Sequence, residues 1–364
     1  MTKGTKEARK IRYGIVGCGM MGCEHIRNIE AIDDAEIVAL SDPAEESINW
    51  GRLALSNASA VETFSDHRAL LDRDDLDAVV IASPNFTHAD VLQDVFETDK
   101  HVLVEKPMCT TMEDCRRVVD AATRHEGVVQ VGLEYRYMPP IAHFLRELRA
   151  GVVGDLKMLS IREHRHPFLP KVDNWNRFSR NTGGTLVEKC CHFFDLMNLA
   201  IPALPTRVFA SGAQDVNHLD ESYDGETPDI LDNAYVVVDY DNGARAHLDL
   251  CMFAESSHNE QEICAVGPAG KLETVVPEGR MRVGTRKWKE YREFDCDPDS
   301  RIAHDGLHHG ASYLEHLGFI DAIRRDAEPE VSVVDGLRSV AIGIAAHRSI
   351  DEGRVVELAE LGSV

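Results

Sequence analysis

The chain is short of positive charge. Its 364 residues carry 39 Lys and Arg against 62 Asp and Glu, a formal net charge of −23. A surface this acidic repels phosphate backbones and anionic lipid, so nucleic-acid and membrane partners are set aside. Long apolar runs are lacking too. VAIGIAA at 340–346 ranks with the longest and is far too short to span a bilayer. No hydrophobic stretch follows the basic start MTKGTKEARK, so no signal peptide is read there, and the segment to about Lys10 is expected to be a disordered tail. No CxxC pair occurs among the nine cysteines. Without a secretory signal, reduced thiols in a cytoplasm are the expectation. The Asn57 and Asn85 glycosylation triplets then read as chance matches.

What is present first is an alternation of strand and helix. Apolar runs at 11–17, 36–42, 77–83, 101–105 and 128–132 predict buried parallel strands. Helical patterns near 44–57, 87–97 and 111–126 separate them, as in a doubly wound sheet. Between the first strand and the first helix lies Gly17-Cys18-Gly19-Met20-Met21-Gly22, a GxGxxG, with Asp42 twenty residues beyond Gly22. Glycines there let the backbone approach a pyrophosphate at a helix N-terminus, and the acid accepts hydrogen bonds from a ribose. The same charge repels a 2′-phosphate, so NAD is the expected cofactor rather than NADP.

From about Asp155 the texture changes. Segments at 156–162, 206–211, 233–240, 244–252, 262–266 and 271–276 predict an open antiparallel sheet, one face free to cover a ligand or a partner subunit. Helical patterns return near 310–326 and 335–350, and 215–230 reads as an acidic surface loop. The fold class is therefore α/β: a Rossmann-type domain over 1–135, a second α+β domain over 136–334, and a C-terminal helix and tail over 335–364.

Two motifs carry chemistry. Glu105-Lys106-Pro107 stands at the end of a predicted strand, where ligands of doubly wound sheets bind. A lysine beside a cationic nicotinamide is expected to have a depressed pKa and to exchange protons with a substrate oxygen. The second is GGTLVEKCCHFFDL, 183–196. One helix from Gly184 to about Leu199 would set Glu188 and His192 four apart on one face, with Lys189 and Asp195 near them. Leu186, Cys190, Phe193 and Met197 would form the apolar stripe. An acid one turn from a histidine can orient its ring. A metal reading fails, because Cys190 points to the apolar side and no paired ligand stands at the right spacing.

These motifs together resemble the Gfo/Idh/MocA oxidoreductases. The likeness rests on the GxGxxG, on Glu105-Lys106-Pro107 and on the 183–195 helix. It extends to Ser83-Pro84-Asn85 with His88, to Tyr135-Arg136-Tyr137-Met138-Pro139, and to the closing DGLRSVAIGIAAHRSIDEGRVVEL. The resemblance implies a Rossmann domain, an open sheet that builds dimers or tetramers, and NAD-linked oxidation of a ring hydroxyl in a sugar or inositol. It implies Lys106 and His192 as catalytic residues, with Glu188 where the family has aspartate. It also implies cofactor contacts by Ser83, Asn85, His88 and Glu105 beside the glycine motif. Lys189 and Cys190 depart from the family pattern.

The loop 162–180 carries five Arg and Lys against two acids, a local +3 in a strongly acidic chain. It reads either as an anion-binding loop or as a set of salt bridges to the acidic remainder. On the first reading Arg165 and Lys171 clamp an anionic substrate and Trp175 stacks on a sugar face. Tyr137 and His258 are further substrate candidates. Three functions are open: a plain dehydrogenase, a redox-neutral glycosidase of sulfoquinovosidase type that oxidises C3 transiently, and a non-catalytic NAD sensor. The crowding of Glu188, Lys189 and His192 leans towards the second. A sensor needs neither Lys106 nor His192.

Overall fold

Short segments buried on both faces build the first sheet in the computed structural model, which describes residues 9–362. The tail reading therefore falls almost wholly outside the described residues. The strands are β1 (Ile11–Val16), β2 (Ala35–Ser41), β3 (Glu62–Phe64), β4 (Ala78–Ile81), β5 (His101–Glu105) and β6 (Val129–Gly132). All lie parallel in the order β3-β2-β1-β4-β5-β6. The order reverses between β1 and β4, the switch point where such sheets bind ligands. The edge strand β3 escaped prediction because it is three residues long, partly exposed and begins with a glutamate.

Helices cover both faces. Ile26 and Ile29 of helix Met20–Glu30 pack with Tyr13 and Ile15 of β1. Val91, Leu92 and Val95 of helix His88–Phe96 pack with Val79 and Ile81 of β4. Helix Ala311–Arg325 follows the second sheet in sequence, yet its Tyr313, Leu314, Phe319 and Ile320 fill the β1 side of the first core.

The second sheet has nine strands: β7 (Met158–His164), β8 (Pro205–Ala213), β9 (Asn233–Tyr240), β10 (Arg245–Cys251), β11 (Gln261–Val266), β12 (Gly270–Val276), β13 (Arg280–Thr285), β14 (Tyr291–Asp295) and β15 (Val356–Glu357). Their order is β14-β13-β12-β11-β7-β10-β9-β8-β15. The sheet is mixed rather than purely antiparallel, because β7 and β10 run parallel. The last three strands were not predicted, since β13 and β14 present charged residues outward and β15 has two residues. Burial alternates along β7, β9 and β10. Leu159, Ile161, Val236, Val238 and Leu248 face the helices. Met158, Phe209, Tyr235 and Val237 remain exposed.

Helix Val333–Glu352 ties the two sheets together. A capping box of Ser332 and Asp335 starts it. Leu337, Val340 and Ala341 enter the core of the first sheet, while Ile342, Ala345 and Ala346 enter that of the second. The second tie is ionic. Arg136 Nε donates to Asp195 Oδ2 at 2.6 Å, and a second guanidinium nitrogen bonds Oδ1. Asp195 is 2% exposed.

Removing one partner of a buried pair strands the other charge in a low dielectric. Arg136→Ala is therefore expected to cost roughly 3–5 kcal/mol in a urea titration. A loss below about 1 kcal/mol would assign the junction to apolar packing alone. Acid should loosen the same region. His347 Nε2 accepts from Leu186 N at 3.0 Å, so the ring is unprotonated there. Burial holds its pKa down to about 4. A depressed histidine keeps its contribution above its ordinary value near 6.5 and loses it as pH falls towards 4. His347→Gln should flatten the stability profile between those values; an unchanged profile would contradict this.

Candidate active site

Gly17 turns the chain out of β1 with φ 92°. A Cβ on Gly22 would lie 2.0 Å from the carbonyl oxygen of Gly17, so helix and loop close only without one. Gly19, which precedes helix Met20–Glu30 and offers no side-chain cap, is different: a Cβ there would meet nothing within 4 Å. That leaves open space in front of unpaired helix N–H groups, the form of an anion cradle. Met20 is exposed and Met21 half-buried beside it. Asp42 follows β2 and braces the loop: Oδ2 accepts from Cys18 N at 2.8 Å and Oδ1 from Ala44 N at 2.9 Å. Each oxygen keeps a lone pair for a ribose hydroxyl. Asn85 is buried, and its Nδ2 has no hydrogen-bond partner among the described residues. The open space, the braced acid and the unused donor fit a dinucleotide.

Ser83 and His88 brace the loops beside the cradle. Ser83 Oγ bonds Thr87 Oγ1 at 2.7 Å. The fully buried His88 ring stands between two carbonyl oxygens, Pro107 at 2.9 Å and Ser83 at 3.0 Å. Neither ring nitrogen is left for a cofactor, which corrects the sequence expectation. His88 staples the loop after β4 to the loop after β5.

Lys106 stands at the end of β5, its Nζ donating to the Glu188 carbonyl oxygen at 3.2 Å. Burial works to lower its pKa, but Cys191, Glu105, Glu134 and Glu188 outweigh it and the net direction is up. The protein's own charges thus act against the depression expected from sequence. Glu105 is buried too. Its Oε1 pairs with His25 Nε2 at 2.9 Å, and the His25 contact and Lys106 charge overcome burial to keep it ionised.

The segment after Gly184 forms two short helices, Thr185–Glu188 and Cys191–Ala200, broken at Lys189-Cys190. The break alters the predicted partners. Glu188 Oε2 is buried without a partner, and no hydrogen bond joins it to His192 among the described residues. The acid beside His192 is Glu134: its Oε1 lies 3.7 Å from His192 Nε2. Sequence reasoning passed over Glu134, although an acid two residues beyond an apolar strand, at the ligand-binding edge, was the available signal. His192 stacks on Tyr135 with ring centroids 3.9 Å apart and planes 7° from parallel. Burial, then Lys106 and Lys189, push its pKa well down, so the ring is neutral. Lys189 is anchored, with Nζ 2.6 Å from Tyr135 Oη and 2.9 Å from Glu163 Oε1. Asp195 is occupied by Arg136. Cys190 and Cys191 turn into two different apolar cores.

The basic loop divides. Arg162, Arg177 and Arg180 are taken up by Glu262, Glu221 and Glu226. Lys171 reaches the site: burial lowers its pKa, and Glu188 and Lys106 are the charges that act on it most. Arg165 comes no nearer than 3.7 Å to Glu163, and its Nε has no partner among the described residues. Trp175 packs edge-on to Phe86, centroids 6.4 Å apart. Two substrate candidates lie elsewhere. Tyr137 lines a separate cavity with Arg146, Arg301 and Glu330. The His258 side chain is 84% exposed, 3.8 Å from Glu278. A loop position after a strand was too weak a signal for His258, and a place in the junction motif was too weak a signal for Tyr137.

Comparison with known proteins agrees with this arrangement. Residues 11–133 match the family model described as an oxidoreductase family NAD-binding Rossmann fold, and 146–358 match its C-terminal alpha/beta domain. An uncharacterized oxidoreductase, YrbE, of Bacillus subtilis is 31% identical over 353 residues, 96% of this chain and 97% of its own. A myo-inositol 2-dehydrogenase of Thermotoga maritima is 28% identical over 353 residues, 96% of this chain and 99% of its own. A levoglucosan dehydrogenase solved with NADH and levoglucosan superposes with a TM-score of 0.84 at 20% identity, covering 96% of this chain and 100% of that one. The chain belongs to the Gfo/Idh/MocA oxidoreductase family and carries an NAD-binding Rossmann domain. Among the described residues no helix is long and apolar enough to cross a membrane.

Filling the space at Gly19 separates binding from folding. Gly19→Val should change unfolding free energy by no more than about 1 kcal/mol. NAD affinity should fall at least about tenfold, ~1.4 kcal/mol, by calorimetry. Unchanged affinity would remove Gly19 from the cradle.

Proposed function

We propose that this chain is an NAD-dependent dehydrogenase acting on a secondary ring hydroxyl of a sugar or inositol. NAD supplies the hydride acceptor. The observation that carries the reading is the convergence of Lys106, Glu188 and His192 at the end of β5, in the sheet whose first turn forms the glycine cradle. His192 takes the hydroxyl proton, the charged Lys106 steadies the hydroxyl oxygen, Tyr135 orients the imidazole by stacking, and burial of the site keeps water from competing. The named activities of the myo-inositol and levoglucosan relatives support the substrate class.

An anionic substrate is the finer reading. Lys171 turns towards Glu188, Arg165 keeps only a long 3.7 Å contact to Glu163 while its neighbours are closely paired, and Trp175 offers an aromatic face. A homodimer or homotetramer through the exposed Met158, Phe209, Tyr235 and Val237 face is part of the same proposal.

A second reading, redox-neutral cleavage of a glycoside through transient C3 oxidation, is favoured by one feature. Glu134 and Glu188 both keep unpartnered carboxyl oxygens near His192 and Lys106, more proton-handling groups than a single oxidation needs.

One assay separates the two. Purified protein with NAD is offered inositols, sugars, sugar acids and aryl glycosides, including glucuronides and sulfoquinovosides. NADH rising in step with substrate loss supports the dehydrogenase. Aglycone release over many turnovers without NADH supports cleavage and removes the first reading. Lys106→Ala and His192→Ala should each lower turnover by about 100-fold or more with NAD binding retained. A variant turning over at the parent rate loses its assigned role.

A further inference from the structure

The proton taken from a substrate hydroxyl must leave a site that holds little water. His192 is 2% exposed. Its Nδ1 has no partner among the described residues, and its Nε2 faces Glu134. Glu134 is 1% exposed, and neither of its carboxyl oxygens has a hydrogen-bond partner among the described residues. A buried carboxyl left without partners is costly and calls for a reason. The same Oε1 that lies 3.7 Å from His192 Nε2 lies 3.5 Å from Nδ1 of His308. One carboxyl oxygen thus stands between two imidazoles, one deep in the site and one near the surface. The His308 side chain is 21% exposed. It sits on the turn Gly306–His308, pinned to helix Met20–Glu30 by Leu307 N donating to Glu24 Oε1 at 2.8 Å. Catalytic hydrogen bonds are commonly long before substrate binds and tighten in the complex.

We propose that Glu134 is a proton relay, carrying the substrate's proton from His192 to His308 and out to solvent. The inference rests on the dehydrogenase reading above. The balance of the step is complete: the carbinol C–H leaves as hydride to NAD, its O–H proton passes to His192, and the alcohol becomes a ketone. The proton on His192 moves to the Glu134 carboxylate and then through His308, whose pKa burial holds down to about 3, so that this ring hands the proton straight to water and stays neutral at rest.

The surroundings suit a group that binds and releases a proton near neutrality. Burial raises the Glu134 pKa to about 8 and Glu105 adds to the rise, while Lys106 and Lys189 oppose it. Cys191 and Tyr135 also face it, and both are kept protonated by burial. Glu315, from helix Ala311–Arg325, is a second buried acid whose pKa is raised by burial and by Glu134. Two acids so close do not ionise together. Proton acceptance requires the carboxylate, so relayed oxidation quickens as pH rises through about 8.

Glu134→Gln keeps the volume and removes the titratable carboxyl. For the substrate found active, kcat above pH 8 should fall at least about tenfold, with KM and NAD affinity within about twofold of the parent. The rise of kcat through pH 8 should vanish, and added formate or imidazole should restore part of the rate. His308→Asn should show the same rescue with a smaller loss. A parent-like pH profile in Glu134→Gln, or a loss that no small base restores, overturns the relay. A readout without substrate stands beside these. The infrared spectrum of the parent minus that of Glu134→Gln should show a protonated carboxyl at pH 6 that disappears by pH 10. A carboxylate ionised throughout overturns the proposal even in an active enzyme. A parent that oxidises nothing in the panel while this band titrates shows that the dehydrogenase reading has failed, and the relay's substrate step with it.

Discussion

Everything in the site depends on carrying charged side chains into the seam between two apolar cores without leaving their charges stranded. Arg136 and Asp195 do this for the segment 185–200, since the guanidinium that closes the pair comes from the turn after β6 and the carboxylate from helix Cys191–Ala200. The pair does not add net stability cheaply, because both charges lose water. It specifies the junction instead: no other register of the helix puts a carboxylate opposite the fork. Helix Val333–Glu352 closes the seam from the other side, giving one stretch of its surface to each core.

Given that seam, the proton chemistry follows from desolvation. Burial drives neighbouring groups in opposite senses, raising Glu134 and Glu188 and lowering His192, Lys171 and Lys189. Glu105 and Lys106 are the exceptions, because His25 bonds the carboxylate and the acids around Lys106 outweigh its burial. The result is a cluster in which Glu134 and His192 are held towards their neutral forms beside the charged Lys106 and Glu105. Such a cluster moves protons with less charge separation than the same groups in water. The glycine cradle does the opposite task with backbone alone, leaving space rather than filling it.

Much of this was legible beforehand. The β1 turn glycines, Asp42 and the strand-end Lys106 depend on local rules, and the alternating buried runs revealed the parallel sheet. Segment 183–196 was legible only in part. Its apolar stripe of Leu186, Cys190, Phe193 and Met197 packs as the period demands. The break at Lys189-Cys190 was invisible, because it is imposed by Lys189 reaching Glu163 and Tyr135 rather than by any helix breaker. Hence the acid beside His192 comes from another element, 58 residues earlier in the chain by its numbering, and no local pattern pairs the two. Likewise, sequence could not say that Arg162, Arg177 and Arg180 spend their charge on local acids while Lys171 turns inward. The parallel β7–β10 pair depends on where a crossover lands, which is a property of the whole fold.

The central claim is that burial holds His192 neutral, so that it accepts a proton from substrate. The most direct measurement is a pH titration of the His192 ring nitrogens by 15N NMR, with His192→Gln to assign the signals. The account predicts a ring that stays neutral as the pH falls well below the ordinary histidine range. A ring that takes up a proton near its ordinary value of about 6.5 would contradict it.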